Sequence, residues 1–401
     1  MSSGANLLII QGGGPTPVFN VSLAAVIEEA IHSKRIGKVF GAKFGASSFA
    51  QGDFIDLSDT TPRDLESLRQ SPGAALGSTR YKPSTDDLNR MVQHLRRADI
   101  QYVVWIGGNG TMRGAEMLGT FCRDGKQDLQ VIGVPKTVDN DVACTDRCPG
   151  YGSAARYVAQ TTRDLGMDVR SLPQPVSIYE TMGRSVGWLA AASVLAKRED
   201  GDAPHLVYLP ERPFSMDAFL SDVDRLVARQ GWVVVVASEG IRYQDGTLVH
   251  QTANSSQADA LNRPLTGGVG EFLAGVLARQ LKVRCRSEKP GLIGRASMLH
   301  TSPRDVADAD LVGRSAVRAL LAGHSGEMVA LTPVQSGEEA SHKMVPLCDV
   351  AGIDRPIPAN WLAESSLSVN ADFLNYLRPL IGGLQDYLSP LKFSMESFGV
   401  H

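Results

Sequence analysis

The sequence predicts an α/β fold with mostly parallel sheets covered by helices. Three observations carry the prediction. Short apolar runs alternate with amphipathic stretches along the chain, the texture of repeated strand and helix. Several of those runs end in glycine-rich or charged loops, at the strand ends where open parallel sheets hold their ligands. The chain has 401 residues, enough for two or three units of ~100–200 residues each.

Taken in order, strands are expected at 7–10, 38–42, 102–106, 131–134, 176–179, 205–209, 233–237 and 328–331. Each is a short apolar run of the kind that parallel sheets bury. Helices are expected at 21–33, 114–120, 153–165, 185–197, 216–230 and 305–322. In the last, Val312, Ala316 and Leu320 share a face with Val317 and Leu321 beside it, the 3.6-residue period of a helix resting on a core. The polar text of 243–262 reads as a long surface connection, and the apolar texture shifts after Gly201. A boundary is expected between 145 and 205, with the chain crossing between units more than once.

Forty Lys and Arg stand against 43 Asp and Glu, a net charge of -3. That balance disfavours nucleic acid and anionic membrane as partners, since both need a clustered basic excess. The longest apolar runs, such as 189–196 and 232–237, fall far below the ~20 residues that span a bilayer. With no leader pattern after Met1, a cytoplasmic location is expected. Five cysteines are too few and too odd in number for a disulfide framework, and Cys144 with Cys148 lacks the second pair of a zinc site.

Four loops that follow strands hold the candidate chemistry. In Gln11-Gly12-Gly13-Gly14-Pro15-Thr16-Pro17, consecutive glycines let backbone N–H groups approach an anion, and a helix opening near Asn20 adds its positive end. The same turn also serves as a tight-packing device. Gly107-Gly108-Asn109-Gly110-Thr111 repeats the arrangement, so the pair suggests several phosphates on one ligand or two phosphorylated ligands. Asn109 equally suits a left-handed turn.

The third loop, Pro135-Lys136-Thr137-Val138-Asp139-Asn140-Asp141, sets a cation, a hydroxyl and two carboxylates at a strand end, which is costly unless a ligand meets them. In an extended segment Asp139 and Asp141 point the same way and divide the work of base and Mg2+ ligand while Lys136 reaches a phosphate. An acidic loop capping the next helix is the alternative. The fourth, Glu180-Thr181-Met182-Gly183-Arg184, places an arginine at the expected start of a helix, against its dipole unless an anion sits there too; pairing with Glu180 or another surface carboxylate is the alternative. Arg80, Glu239, Arg286 and Arg295 are further candidates, each alone read more simply as a surface charge.

As a set, GGGPTPVFN (12–20), GSTR (77–80), GGNGT (107–111), PKTVDND (135–141), CPGYGSAARY (148–157), Met182-Gly183-Arg184 with Gly187-Trp188-Leu189-Ala190, and Pro210-Glu211 resemble the 6-phosphofructokinases. The resemblance covers roughly residues 6–325 and is nearest the longer bacterial branch that contains pyrophosphate-dependent enzymes. It implies two Rossmann-like domains with the active site in the cleft between them. The donor-binding domain would be 1–145 with return segments from the later chain, the sugar-phosphate domain 146–325, and 326–401 a C-terminal extension packing across both. The implied reaction is Mg2+-assisted phosphoryl transfer to the C1 hydroxyl of fructose 6-phosphate, in a homodimer or homotetramer. Asp139 would be the general base, and Thr137 would contact the donor phosphate or the reacting hydroxyl. Asp141 and Asn109 would serve Mg2+. Gly13 and Arg80 would meet the donor phosphates. Met182, Gly183 and Arg184 would contact the sugar phosphate and the transferring group, and Glu239 the sugar hydroxyls. Arg295 would bind the 6-phosphate, with Arg286 reaching in from a neighbouring subunit.

The departures are informative. Leu292 stands where the family has an aromatic residue or His, Gly294 where it has Gln, and Pro175 where short bacterial members have Arg. Either the acceptor differs from fructose 6-phosphate or other groups compensate. For the donor, Gly110 leaves open the space that an Asp fills in enzymes excluding ATP, whereas Lys136 is typical of pyrophosphate users. Because a blocking carboxylate is decisive and an extra cation only helpful, ATP is expected, with pyrophosphate as the alternative. Two further readings remain: a paralogue that binds sugar phosphate and nucleotide without turnover, and a different kinase sharing the Gly-Gly-x-Gly-Thr loop, such as one acting on a lipid or nicotinamide nucleotide, against which the downstream PKTVDND and Met182-Gly183-Arg184 argue.

Overall fold

The computed structural model describes residues 4–173, 175–251, 266–334 and 339–387. The first part of the chain runs β1 (Ala5–Gln11), α1 (Phe19–His32), β2 (Ile36–Ala42), α2 (Gly45–Phe49), β3 (Phe54–Asp56), α3 (Pro62–Arg69), α4 (Thr85–Arg97), β4 (Ile100–Gly107), α5 (Asn109–Asp124) and β5 (Gln130–Pro135). It continues through α6 (Tyr151–Val169), β6 (Pro175–Thr181), α7 (Trp188–Ala192), β7 (Leu206–Tyr208), α8 (Met216–Gln230), β8 (Val233–Ser238), α9 (Val269–Gln280), β9 (Arg284–Glu288) and α10 (Gly291–Ala296). The last elements are α11 (Pro303–Leu321), β10 (Glu327–Leu331), β11 (His342–Pro346) and α12 (Ala371–Ile381).

The strands form a seven-stranded sheet in the order β11-β10-β5-β4-β1-β2-β3 and a four-stranded sheet in the order β7-β8-β6-β9. Central pairings are parallel, and among the described residues only the edge strands β3 and β11 run antiparallel. The expected α/β class with mostly parallel sheets is what the chain adopts. β10 and β11 return to the first sheet from late in the sequence, while α12 packs beside the second.

The apolar runs explain why the sheets are sandwiched. In β1, Leu7 and Ile9 face the layer of α1 and α11, whereas Leu8 and Ile10 face Leu88, Met91 and Met112 of α4 and α5. Alternate residues of a strand point to opposite faces, so an unbroken Leu-Leu-Ile-Ile run needs cover on both. Each such side chain contributes roughly 1.5–3 kcal/mol on full burial. In the second sheet Val233 and Val235 pack under α8 and α9, and Val236 under α6 and α7.

Some elements differ from expectation. α5 begins at Asn109, not near 114, so the second glycine loop is itself a helix N-terminus. The helix expected from 185 begins at Trp188 and tightens into a 3-10 turn over Ser193–Ala196. The polar text of 243–262 is described only to 251, where Arg242 and Leu248 pair across a tight turn. No helix among the described residues is long and apolar enough to cross a membrane.

β1 is the point where strand order reverses, since β2 lies on one side and β4 on the other. Open α/β sheets bind ligands at the carboxyl ends of strands at that reversal. Gln11 and Ile106 are register partners there, and both glycine loops start from them.

Candidate active site

A cleft of about 330 Å³ lies over this reversal. Its walls are the loops after β1, β4 and β5 from the first sheet, Met182, Arg184 and Glu239 after β6 and β8 from the second, and Leu292 and Arg295 of α10. Gly13, Arg80, Asn109, Gly110, Lys136, Thr137, Asp139 and Asp141 all line it. Gly183 supports it from behind, its carbonyl accepting from the Ser238 hydroxyl. Arg286 does not line it: on the edge strand β9 it borders a separate groove with Leu165, Asp168 and Glu288.

The glycine loop after β1 works differently from the simple cradle. The N–H of Gly12 donates to Ile106 O at 2.9 Å and that of Gly13 to Thr79 O at 3.1 Å. Both donors are spent, so these amides do not greet an anion. What the glycines supply is closeness. A Cβ on Gly12 would lie 2.5 Å from Thr111 Oγ1, and Gly13 has φ +81, a left-handed conformation that favours glycine. Thr111 is the packing partner that the sequence reading passed over.

Lys136 is 2% exposed. Its ammonium donates to Gly14 O at 2.6 Å and sits 4.3 Å from the centre of the Phe19 ring. Burial, then the nearby Arg295 guanidinium, pushes its pKa down to about 7. Neither Asp139 nor Asp141 forms a salt bridge with it among the described residues. Arg295 packs over Gly14, its Nη1 3.1 Å from where a Cβ would stand. Its pKa is lowered by burial and by Arg80. Lys136, Arg80 and Arg295 thus concentrate positive charge on one wall.

The loop that carries Lys136 also brings acidic groups to the cleft. Asn140 takes a left-handed conformation, φ +55, so the segment is not extended as expected; a turn brings Asp139 and Asp141 to the same cleft. The Asn140 side chain accepts from Cys148 N at 2.9 Å and donates to the Tyr376 hydroxyl at 2.9 Å, which ties the turn to α12. Asp139 N donates to Thr137 Oγ1 at 3.1 Å. Burial first, then Asp141 and Glu239, raises the Asp139 pKa to about 7, against the opposing pull of Arg184 and Arg80. Burial, then Asp354, raises that of Asp141.

Arg184 stands ahead of α7, not at its first turn. Glu180 is also engaged elsewhere, accepting from Gly268 N and Gly270 N at the start of α9 and from Lys289 at 2.7 Å. Glu239 has its pKa raised by burial, offset by the nearby Lys289 and Arg184. Glu211 fixes the approach to α7 by accepting from Gly187 N at 2.9 Å.

Three oxygens in the cleft, Asn109 Oδ1, Asp139 Oδ1 and Asp141 Oδ1, are buried without a hydrogen-bond partner. Buried polar atoms are rarely left so. Among the described residues no three His, Cys, Asp or Glu side chains gather to make an all-protein metal cage. One or two carboxylates with an amide oxygen is instead the donor set of Mg2+, which completes its shell with water and phosphate oxygens. The residues present fit that ion.

The model of the family described as phosphofructokinase matches residues 6–320. The chain belongs to the phosphofructokinase family. It is 35% identical to a pyrophosphate–fructose 6-phosphate 1-phosphotransferase of Rhodospirillum rubrum, over 95% of each chain. It is 34% identical to a sulfofructose kinase of Alkalicoccus urumqiensis over 88% of this chain and 91% of that one. A solved structure of a pyrophosphate-dependent phosphofructokinase from Marinobacter aquaeolei superposes with a TM-score of 0.85 at 32% identity, covering 97% of this chain and 94% of that one. The family match ends before β10 and β11, so these and α12 lie outside the residues it matches.

Proposed function

We propose that the chain transfers a phosphoryl group from pyrophosphate to the C1 hydroxyl of fructose 6-phosphate, giving fructose 1,6-bisphosphate and phosphate. The observation that carries this is the gathering of a buried carboxylate poised near neutrality, Asp139, and the cations Lys136, Arg80 and Arg295 in one cleft. A base works best with a pKa near the working pH, and phosphoryl transfer is mostly positioning and charge neutralisation. Asp139 takes the C1 hydroxyl proton as that oxygen bonds to phosphorus and the bridging P–O bond of the donor breaks. Arg184, beside Asp139, faces the transferring group, and Thr137 anchors the turn that aims the base. Asn109 and Asp141 would hold Mg2+, which when bound supplies charge neutralisation at the donor oxygens.

The donor is the revised point. Gly110 alone favoured ATP, but Lys136 is built into the phosphate wall, and the named activity of the Rhodospirillum and Marinobacter relatives is pyrophosphate-dependent. ATP is kept as a second reading by a side cavity of about 460 Å³ that opens past Asn109 and Gly110. For the acceptor, Leu292 is 65% exposed at the cleft and offers no polar contact, and a relative is named for sulfofructose. The exposed Ile293 and Leu299, in the chain that follows the edge strand β9, support a homo-oligomer in which Arg286 is the residue a neighbouring copy contributes. Coupled assays crossing pyrophosphate and ATP with fructose 6-phosphate and sulfofructose test the whole reading. Turnover of pyrophosphate with fructose 6-phosphate is expected to dominate; preference for another pair replaces the corresponding half of the proposal, and turnover of none leaves a binding protein.

A further inference from the structure

The Asn109 amide nitrogen has two acceptors, Asp141 O at 3.0 Å and Asp354 Oδ1 at 2.8 Å. Asp354 comes from the segment before α12, outside the residues that match the family. Its backbone forms an antiparallel bridge with Val142, and Arg355 N donates to Asp141 O at 2.8 Å. The segment is anchored in turn where Trp188 Nε1 donates to Arg355 O at 2.9 Å and the Arg355 guanidinium lies 4.4 Å from the Trp188 ring.

An amide has two chemically different ends, one donating and one accepting. With both N–H groups taken by Asp141 O and the Asp354 carboxylate, Asn109 Oδ1 is left buried and unpartnered in the cleft that also holds the unpartnered oxygens of Asp139 and Asp141. A carboxylate at 109 would need no such guidance, because its two oxygens are equivalent. A further negative charge there would also crowd Asp354, whose charge already helps raise the Asp141 pKa.

We propose that Asp354 is a positioning residue that orients the Asn109 amide so that its carbonyl oxygen, not its NH2 group, faces the divalent cation. The inference rests on the phosphotransferase reading of the cleft but on neither choice of donor. Partners that orient a metal ligand from behind typically cost ~10–100-fold in metal affinity or activity when removed.

The test is a cycle of four full-length proteins: wild type, Asp354→Ala, Asn109→Asp and the double variant. Mn2+ binding is followed by electron paramagnetic resonance with and without pyrophosphate, and the Mg2+ concentration for half-maximal rate is measured with whichever donor turns over. Asp354→Ala is expected to raise both metal constants by ~10-fold with little change in the KM for sugar phosphate. Asp354→Asn, which keeps an acceptor oxygen, should recover most of the loss. In the Asn109→Asp background the alanine change should raise neither constant, because a symmetric carboxylate has no orientation to lose. An equal rise in both backgrounds, a fall in melting temperature that tracks the metal constants, or no change in Asp354→Ala would each overturn the proposal. The Mn2+ readout without donor stands even if the pyrophosphate reading fails.

Discussion

The Lys136 ammonium is bonded to the carbonyl oxygen of Gly14, the last glycine of a loop that follows a different strand. A cation so placed stiffens the loop and lends it positive charge from inside the wall, where screening by water is weak. Lys136→Met keeps much of the volume and removes the charge. A hydrogen bond to a charged group contributes roughly 1.5–3 kcal/mol, so pyrophosphate turnover should fall by about 10- to 150-fold with the acceptor KM nearly unchanged. Initial-rate measurements with each substrate varied check this. An equal loss in acceptor affinity would show that Lys136 serves the fold of the cleft and not the donor.

Two groups titrating near neutrality set the pH response. Asp139 must be ionised to accept a proton, so with a pKa raised to about 7 its share of active form declines as pH falls through that value. Lys136, lowered to about 7, loses its charge as pH rises through the same region. The free-enzyme profile of kcat/KM should therefore be a narrow bell centred near neutral pH, reporting the two groups jointly. Asp139→Asn should reduce kcat by ~10²–10⁴-fold while sugar phosphate still binds. The signs for stability also follow. Folding holds Asp139 more protonated than the unfolded chain does, so its cost grows as pH rises from its ordinary value of 3.8 toward 7. Asp139→Asn should raise the melting temperature at pH 8 and leave it unchanged near pH 3. For Lys136 the cost of the buried charge is full below pH 7 and fades toward 10.5, so Lys136→Met should stabilise most at acidic pH.

Much of the site was legible because parallel strands announce themselves. The runs ending at Gln11, Ile106 and Val134 are apolar on both faces, and the loops that follow them had to meet at their carboxyl ends. Strands β3 and β9 left no such mark: β3 has three residues, and β9 reads Arg-Cys-Arg-Ser-Glu on an edge. Helix α4 did carry a signal, Ser84 and Asp87 in a reciprocal capping box, which periodicity alone overlooked. The two aspartates were assigned to one cleft on the premise of extended backbone, whereas the left-handed Asn140 and its bond to Tyr376 deliver them. Asp354 could not be foreseen, since 245 positions separate it from Asn109 and no local pattern encodes such a contact.

The fit of Gly12 over Thr111 gives a stability prediction. A methyl at 12 would meet Thr111 Oγ1 at 2.5 Å and its Cγ2 at 3.2 Å, and neither can retreat because Thr111 is buried in the first turn of α5. Overpacking of this kind costs typically 1–3 kcal/mol. Gly12→Ala should lower stability by about that amount, and Gly12→Ala with Thr111→Ala should recover most of it. Urea unfolding of the single and double variants measures the coupling; an additive double variant would refute the packing account.

Gly110 is shared by the two cavities. It is exposed and lines both the cleft and the side cavity, whose other walls include Tyr81, Pro83, Met117 and Leu248. On the proposed reading a pyrophosphate donor ends within the cleft, whereas a nucleoside triphosphate would extend past residue 110 to seat its base in the side cavity. An aspartate there would occupy that path and repel the phosphate nearest the nucleoside through like charge. Gly110→Asp is expected to abolish whatever ATP turnover the protein has and to leave pyrophosphate turnover within a few-fold of wild type, both read from coupled rates at saturating acceptor. Unchanged ATP kinetics in this variant would place the nucleoside elsewhere, and a parallel loss with both donors would show that residue 110 contacts the phosphates they share.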